Sequence, residues 1–195
     1  MPSDRVLFLA TGNLHKVEEA AAILAEFRIQ VRRVKSPKVE IQSDDIVEIA
    51  TFASDDLSRR HSGVVAVEDS GLFVDSLKGF PGPFSSYAYQ AIGPSGILRL
   101  LGTSSRRRAR FRAVVAVSRS GHTLKTFTGE VRGRIAYSKR GHNGFGFDPI
   151  FIPTGSLRTF GEMSVEEKNK QSHRRKAFRQ LGMWSTQPTK HEPLG

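Results

Sequence analysis

The chain has 195 residues, with 30 Lys+Arg against 19 Asp+Glu, six His and no cysteine. The missing cysteine excludes a disulfide scaffold, a thiolate zinc site and a thiol nucleophile. At this length a folded chain hides about 70% of the surface its extended form exposes, so a large core forms without covalent cross-links. Residues 1–100 carry 11 basic and 13 acidic side chains, while residues 101–195 carry 19 and 6. The basic half is therefore expected to meet an anion, be it a nucleic acid backbone, a membrane surface or a small polyphosphate. No stretch approaches the ~20 apolar residues of a membrane span, and the N-terminus lacks the pattern of a signal peptide. A cytoplasmic protein with no membrane partner is expected.

Residues 6–10 form an apolar run ending in Thr11-Gly12-Asn13, after which Val17, Ala20, Ala21, Leu24 and Phe27 recur at helical spacing. This predicts strand, tight turn, helix. A strand is predicted over 28–34, then a helix capped by Asp44 or Asp45 and running to about His61. Residues 64–67 read as a buried strand with Glu68-Asp69-Ser70-Gly71 at its end, and 72–77 as a short strand returning from it. A rigid loop follows over 79–83, then a helix over 96–101.

Segments 109–118 and 123–131 flank Ser120-Gly121-His122 and predict a hairpin. The preceding basic burst, Arg106-Arg107-Arg108 with Arg110 and Arg112, reads as a turn plus the outward face of a strand. A glycine-rich loop over 141–149 feeds a strand at 150–152. Ser164 to Glu167 matches a capping box, and Ala177, Phe178 and Leu181 predict a last helix ending near Gly182. From Trp184 a loose tail is expected, which gives one domain over 1–183 and a tail over 184–195. The sum is an α/β fold with a mixed sheet and flanking helices.

Three segments could carry chemistry. Thr11, Gly12, Asn13, Leu14, His15 and Lys16 sit where a strand hands over to a helix N-terminus, a place suited to phosphate, with Lys16 adding a point charge. An ordinary turn with a solvated lysine is the alternative. Glu68 and Asp69 face opposite sides of their strand, so a hard cation needs a second acid from elsewhere, and Glu40 is the candidate; two carboxylates plus substrate phosphates is a usual Mg²⁺ arrangement, and the alternative is that Asp69 caps a turn and Glu40 is a surface charge. Phe145-Gly146-Phe147-Asp148 could stack a base and accept hydrogen bonds from its edge, or be a core aromatic pair beside a turn. His15, His61, His122, His142 and His191 show no metal-cage spacing and read as structural or surface residues.

Thr11-Gly12-Asn13-x-x-Lys16, Glu68-Asp69-Ser70-Gly71-Leu72, Gly79-x-Pro81-Gly82, the block from Gly144 to Phe151, Phe160-x-Glu162-Met163 with Lys168-Asn169, and Ser172-His173-Arg174 occur in one fixed order. This arrangement resembles the inosine triphosphate pyrophosphatase (Ham1/RdgB-like) family of house-cleaning nucleotide hydrolases. The resemblance implies an elongated mixed sheet in two lobes around a substrate cleft, a homodimer, and Mg²⁺-dependent hydrolysis of ITP, dITP and XTP to the monophosphate and pyrophosphate.

It further implies that residues 11–16 hold the triphosphate, that Glu40 and Asp69 hold the metal, and that Asp69 accepts the proton of water. Ser70 would touch substrate, Phe145, Gly146, Phe147, Asp148 and Lys168 would hold the nucleotide, and His173 and Arg174 would read the purine. The chain departs from many relatives at Glu68 (Asp), Phe147 (Tyr), Gly161 (Ala) and Ser85-Ser86-Tyr87 (an Arg two residues before the Tyr), with Glu68 and Ser86 resembling the archaeal branch. A nucleic-acid-binding module and a fold-mate acting on modified pyrimidine nucleotides are the competing readings, and no stable nucleic acid partner is expected.

Overall fold

A computed structural model describes residues 5–36, 39 and 41–187. Among the described residues six strands form one mixed sheet in the order β2-β1-β3-β4-β5-β6. They are β1 (Arg5–Ala10), β2 (Ile29–Val34), β3 (Val65–Val74), β4 (Arg108–Arg119), β5 (His122–Ile135) and β6 (Phe151–Pro153). The helices are α1 (Leu14–Leu24), α2 (Ile46–Arg59), α3 (Ser85–Ala91), α4 (Gly93–Leu101), α5 (Val165–Gln171) and α6 (His173–Ser185). β1 runs parallel to both β2 and β3, with α1 and α2 supplying the crossovers that parallel strands need, while β5 and β6 are antiparallel. The mixed α/β class read from the sequence is the class observed. Among the described residues no helix is long and apolar enough to cross a membrane.

The chain divides into two compact units. The first comprises Met1–Asp69, Ala113–Gly129 and Arg174–Gly195. Its strands are covered on both faces, and the alternation of side chains decides which residue goes where. Leu7, Leu9, Ala66, Val115 and Val117 pack with Ile23 and Leu24 of α1 and Ala177, Phe178 and Leu181 of α6. Val65 and Val67 meet Ala53 and Leu57 of α2, while Val114 and Ala116 meet Ile46 and Ala50. Strand β4 is consequently buried on both sides from Ala113 to Ser118, which is why it reads as an unbroken apolar run. Each fully buried Leu or Phe here contributes about 1.5–3 kcal/mol of transfer free energy. Asp45 caps α2, its carboxylate accepting from the Val47 N–H at 2.8 Å.

The second unit comprises Ser70–Arg112 and Glu130–His173. Its core gathers Leu72 and Val74 of β3, Ile97 and Leu101 of α4, Phe111, Val131, Phe147, Phe151, Phe160 and Met163. Ser164 and Glu167 form the expected capping box at the start of α5. Glu167 is held below the ordinary carboxylate range, first by Arg158 and then by the Ser164 N–H.

Several expectations from the sequence need correction. Glu68-Asp69-Ser70-Gly71 does not end a strand; β3 runs straight through it to Val74, and only then turns in a short 3₁₀ segment. Turn-forming residue types are overruled because both flanks of the segment are buried in the sheet. Gly71 is needed there for proximity rather than for a turn, since a Cβ at this position would lie 2.2 Å from the Gly82 carbonyl oxygen. Ser85 completes the corner by donating to that same oxygen at 2.7 Å and accepting from the Leu72 N–H at 2.8 Å. Gly71→Ala is expected to cost about 1–3 kcal/mol through forced overpacking, read as a fall of several degrees in Tm; an unchanged melting curve removes this close approach from the account.

Helix α3 was not expected. Ser-Ser-Tyr-Ala-Tyr-Gln-Ala has no 3.6-residue apolar period, because Ser85 turns inward while Tyr87 and Tyr89 stay exposed. Residues 148–150 form a 3₁₀ turn rather than the start of a strand, so β6 begins at Phe151. The last helix passes Gly182 and includes Trp184 and Ser185, so the expected boundary at 183/184 falls within it. Trp184 packs beside Phe127 with ring centroids 5.5 Å apart, which holds that final turn down; residues 188–195 of the expected tail lie outside the described residues.

Arg107 is not on an outward face. It is 3% exposed, and its guanidinium donates to the carbonyls of Gly102, Ser104, Ile135 and Ala136. Burial pulls its pKa below the ordinary arginine value. The hairpin itself is as expected, with Ser120 and Gly121 both at positive φ as a two-residue I′ turn requires.

Candidate active site

In the first unit, β1 hands over to α1 through a turn organised by its own side chains. The Asn13 N–H donates to Thr11 Oγ1 at 3.1 Å, and Asn13 Oδ1 caps α1 by accepting from the His15 N–H at 3.0 Å. Arg33 of β2 anchors the turn from behind, its Nε donating to the Thr11 carbonyl at 3.0 Å. The side on which a Gly12 side chain would project is open, with nothing within 4 Å, while Leu14 and His15 are exposed beside it. A helix N-terminus with open space and a lysine one turn along is a place for an anion.

Lys16 does not stand alone. Its ammonium lies 2.7 Å from Glu68 Oε2. The other oxygen of Glu68 accepts from Arg174 Nε at 3.2 Å and Nη2 at 3.1 Å, and Arg174 Nη1 donates to Glu19. Two cations and two carboxylates thus form a chain with formal charge zero, and three of its members are nearly solvent-free: Glu68 at 1%, Arg174 at 1% and Glu19 at 6% exposure. Burial of single charges is prohibitive, so pairing is a condition of the fold here. The sequence reading gave Arg174 to the purine, but its guanidinium is buried and engaged with two carboxylates. The reason is helical register, because Arg174 lies three, four and seven residues before the fully buried Ala177, Phe178 and Leu181.

Glu19 was missed in the sequence. Its signal was position rather than type: it stands four residues before Ile23, on the face of α1 that also buries Ala20 and Leu24. Asp69 follows Glu68 on β3, so its side chain points to the opposite face of the sheet, and it is half-buried. Glu40 lies outside the described residues.

In the second unit, Asp148 is the focus. It is 2% exposed, and its Oδ2 accepts from the Phe145 N–H at 2.8 Å and from Lys168 Nζ at 2.8 Å. Lys168 is itself 3% exposed and lies 4.7 Å from the centroid of the Phe145 ring. The loop therefore closes on itself, with carboxylate, ammonium and aromatic face in one place. A concavity of about 510 Å³ opens here, lined among others by Tyr89, His142, Asn143, Phe145 and Gly146. His142, which by sequence alone reads as a structural or surface residue, is part of this lining.

Phe147 does not share this role. It is 3% exposed, sits in the core and meets Tyr89 edge-on at 5.8 Å, so only Phe145 remains as a stacking surface. His173 is also buried, its ring stacked on Phe111 at 4.8 Å and 9°. Ser70 continues β3 beyond Asp69 and is half-buried.

Gly144 is constrained twice. Its φ is +74°, and a Cβ there would lie 2.2 Å from Asp148 Oδ2. Gly144→Ala is expected to displace the carboxylate from Lys168 and to add left-handed strain of about 1–3 kcal/mol. The measurable outcome is a KM for the nucleotide raised about tenfold or more, as expected for the loss of a charge-assisted bond of about 1.5–3 kcal/mol. An unaltered KM would dissociate the Asp148–Lys168 pair from substrate binding.

A profile of the Ham1 family matches residues 7–184, which takes in every segment above. The chain belongs to the Ham1 family. It is 49% identical over 178 residues to a protein of Pyrobaculum aerophilum named dITP/XTP pyrophosphatase, covering 91% of this chain and 95% of that one. It is also 49% identical over 180 residues to the Methanopyrus kandleri protein of the same name, covering 92% and 95%. Among solved structures, a Ham1 protein from Coxiella burnetii superposes with a TM-score of 0.82 at 30% identity, covering 92% of this chain and 98% of that one.

Membership of the Ham1 family raises the question of a metal, and the donor chemistry fits a hard one. Asp69 offers carboxylate oxygen on the face of β3 opposite the engaged Glu68, and the chain has no thiolate to favour a softer ion. Among the described residues no three His, Asp or Glu side chains gather into a cage. Mg²⁺ asks for less than that, since one or two carboxylates with substrate phosphates and water complete its shell.

Proposed function

We propose that this chain hydrolyses the non-standard purine nucleotides dITP, ITP and XTP to the monophosphate and pyrophosphate, and so keeps them out of DNA and RNA. The observation that carries this reading is the 49% identity, over 95% of its length, to a relative named dITP/XTP pyrophosphatase. The site chemistry supports it. The N-terminus of α1 with Lys16 receives the triphosphate. Phe145 stacks the base, and loop N–H groups donate to the 6-oxo group, so that an adenine amino group would face a donor.

Water attacks the α-phosphorus while Asp69 accepts its proton; the bond from that phosphorus to the α–β bridging oxygen breaks, and pyrophosphate leaves with that oxygen. Mg²⁺, held by Asp69 with Glu40 as the second ligand, would supply neutralisation of phosphate charge. Lys16 shares the charge on the departing group, and Glu68 holds its ammonium in place until substrate arrives.

The test is pyrophosphate release from ITP, dITP, XTP, ATP, GTP, dUTP and dTTP, with Mg²⁺ and with EDTA. The expected result is turnover of the first three at least about a hundredfold faster than ATP or GTP, with specificity of the donor-to-acceptor kind, and none in EDTA. Equal rates on all purines reject the specificity, and faster turnover of dUTP or dTTP moves the chain to pyrimidine nucleotides.

We further propose a homodimer. Phe80, Phe84, Tyr87 and Tyr89 are 41%, 43%, 74% and 46% exposed within ten residues of the second unit, an apolar surface suited to self-association. Light scattering should give twice the 21.6 kDa chain mass; a monomer at micromolar concentration removes the dimer.

A further inference from the structure

The arginine burst and the end of the hairpin build a second feature, wholly within the second unit and independent of the hydrolytic reading. The Ile135 N–H donates to the Arg107 carbonyl at 2.8 Å, so residues 107 and 135 stand opposite one another. One residue further into the antiparallel pair, Arg108 and Arg134 therefore face each other on the other side of the sheet. Both are exposed, and among the described residues neither has an ion pair. The neighbouring acids are already engaged: Glu130 with Arg110 and Arg132, Asp75 with Arg110, and Glu162 with Arg140. Like charges placed directly across a ladder repel, and an anion between them relieves that repulsion.

These two arginines line a concavity of about 620 Å³ whose wall carries Tyr137. The buried guanidinium of Arg107 lies 4.4 Å from the centroid of that ring and fixes its backbone through the carbonyls of Ile135 and Ala136. The ring is nonetheless 69% exposed. An aromatic surface supported from behind by a locked cation, beside two uncompensated guanidinium groups, has the parts needed to bind a base and its phosphates together. We propose that this concavity is a second nucleotide site, taking the phosphates of a nucleoside di- or triphosphate on Arg108 and Arg134 and its base on Tyr137.

The experiment titrates ¹⁵N-labelled full-length protein with ATP in EDTA, where hydrolysis is not expected. Saturable shifts of the amides of Arg108, Arg134 and Tyr137 are the expected result. Arg108→Ala with Arg134→Ala should weaken binding at these amides about tenfold or more, as the loss of two charge-assisted contacts requires. Tyr137→Leu should weaken it about fivefold or more, the lower end for a lost base stack. All three substitutions should leave dITP hydrolysis at its original rate, because none touches the machinery proposed above.

Three outcomes overturn the proposal. Absence of shifts at these amides up to millimolar ATP removes the site. Inorganic pyrophosphate binding as tightly as ATP, with no effect of Tyr137→Leu, reduces it to a general anion patch. A short single-stranded oligonucleotide that binds far tighter than ATP, with steep salt dependence, assigns the surface to nucleic acid instead.

Discussion

Asp69→Asn is expected to lower kcat for dITP by about a thousandfold or more while the protein keeps its fold. The amide preserves size and polarity but can neither accept the proton of the attacking water nor offer an anionic oxygen to a cation, and general-base catalysis alone is commonly worth about 10²–10⁴. Geometry separates this residue from its neighbour. Asp69 is half-buried on one face of β3, while Glu68 on the other face is committed to Lys16 and Arg174. Folding should therefore survive the change at 69, as checked by circular dichroism and melting temperature alongside the kinetics. Turnover retained within tenfold would take Asp69 out of the reaction.

The second large effect is on stability. Arg174→Met should destabilise the chain by about 3–5 kcal/mol, because it removes the guanidinium that both Glu68 and Glu19 meet while both carboxylates stay buried. Against a total of about 5–15 kcal/mol for a whole domain this is enough to leave the protein partly unfolded at growth temperature. Adding Glu19→Gln should recover part of the loss, since one uncompensated charge is then gone, and the coupling between the two substitutions is the quantity to measure by denaturant titration. Additive losses would mean that Arg174 and Glu19 do not act as a pair. Reduced activity of the double variant at restored stability would show that Arg174 has a role beyond holding these carboxylates.

Local chemistry made much of this protein readable. Thr11-Gly12-Asn13 after an apolar run specified strand, turn and helix because the cap is made by residues within the turn itself. The capping box at Ser164, the Asp45 cap and the Ser120-Gly121 hairpin were legible for the same reason. Burial of charge was not legible. Arg107, Arg174, Glu19 and Glu68 look like surface residues by type, and each is interior because a partner distant in sequence neutralises it or accepts its hydrogen bonds. Phe147 illustrates the converse, a residue whose motif suggested contact with a ligand but whose neighbours place it in the core.

The sequence by itself determined the α/β class, the ordered motifs and the starts of α1, α2 and α5, because periodicity and capping act over a few residues. Only the tertiary structure decided that β3 passes unbroken through Glu68-Asp69, that Glu68 bridges Lys16 to Arg174, and that Asp148 is shared by Lys168 and the Phe145 N–H. Those choices depend on which charges meet after the strands have aligned, and a carboxylate 106 residues from its arginine leaves no trace in local spacing.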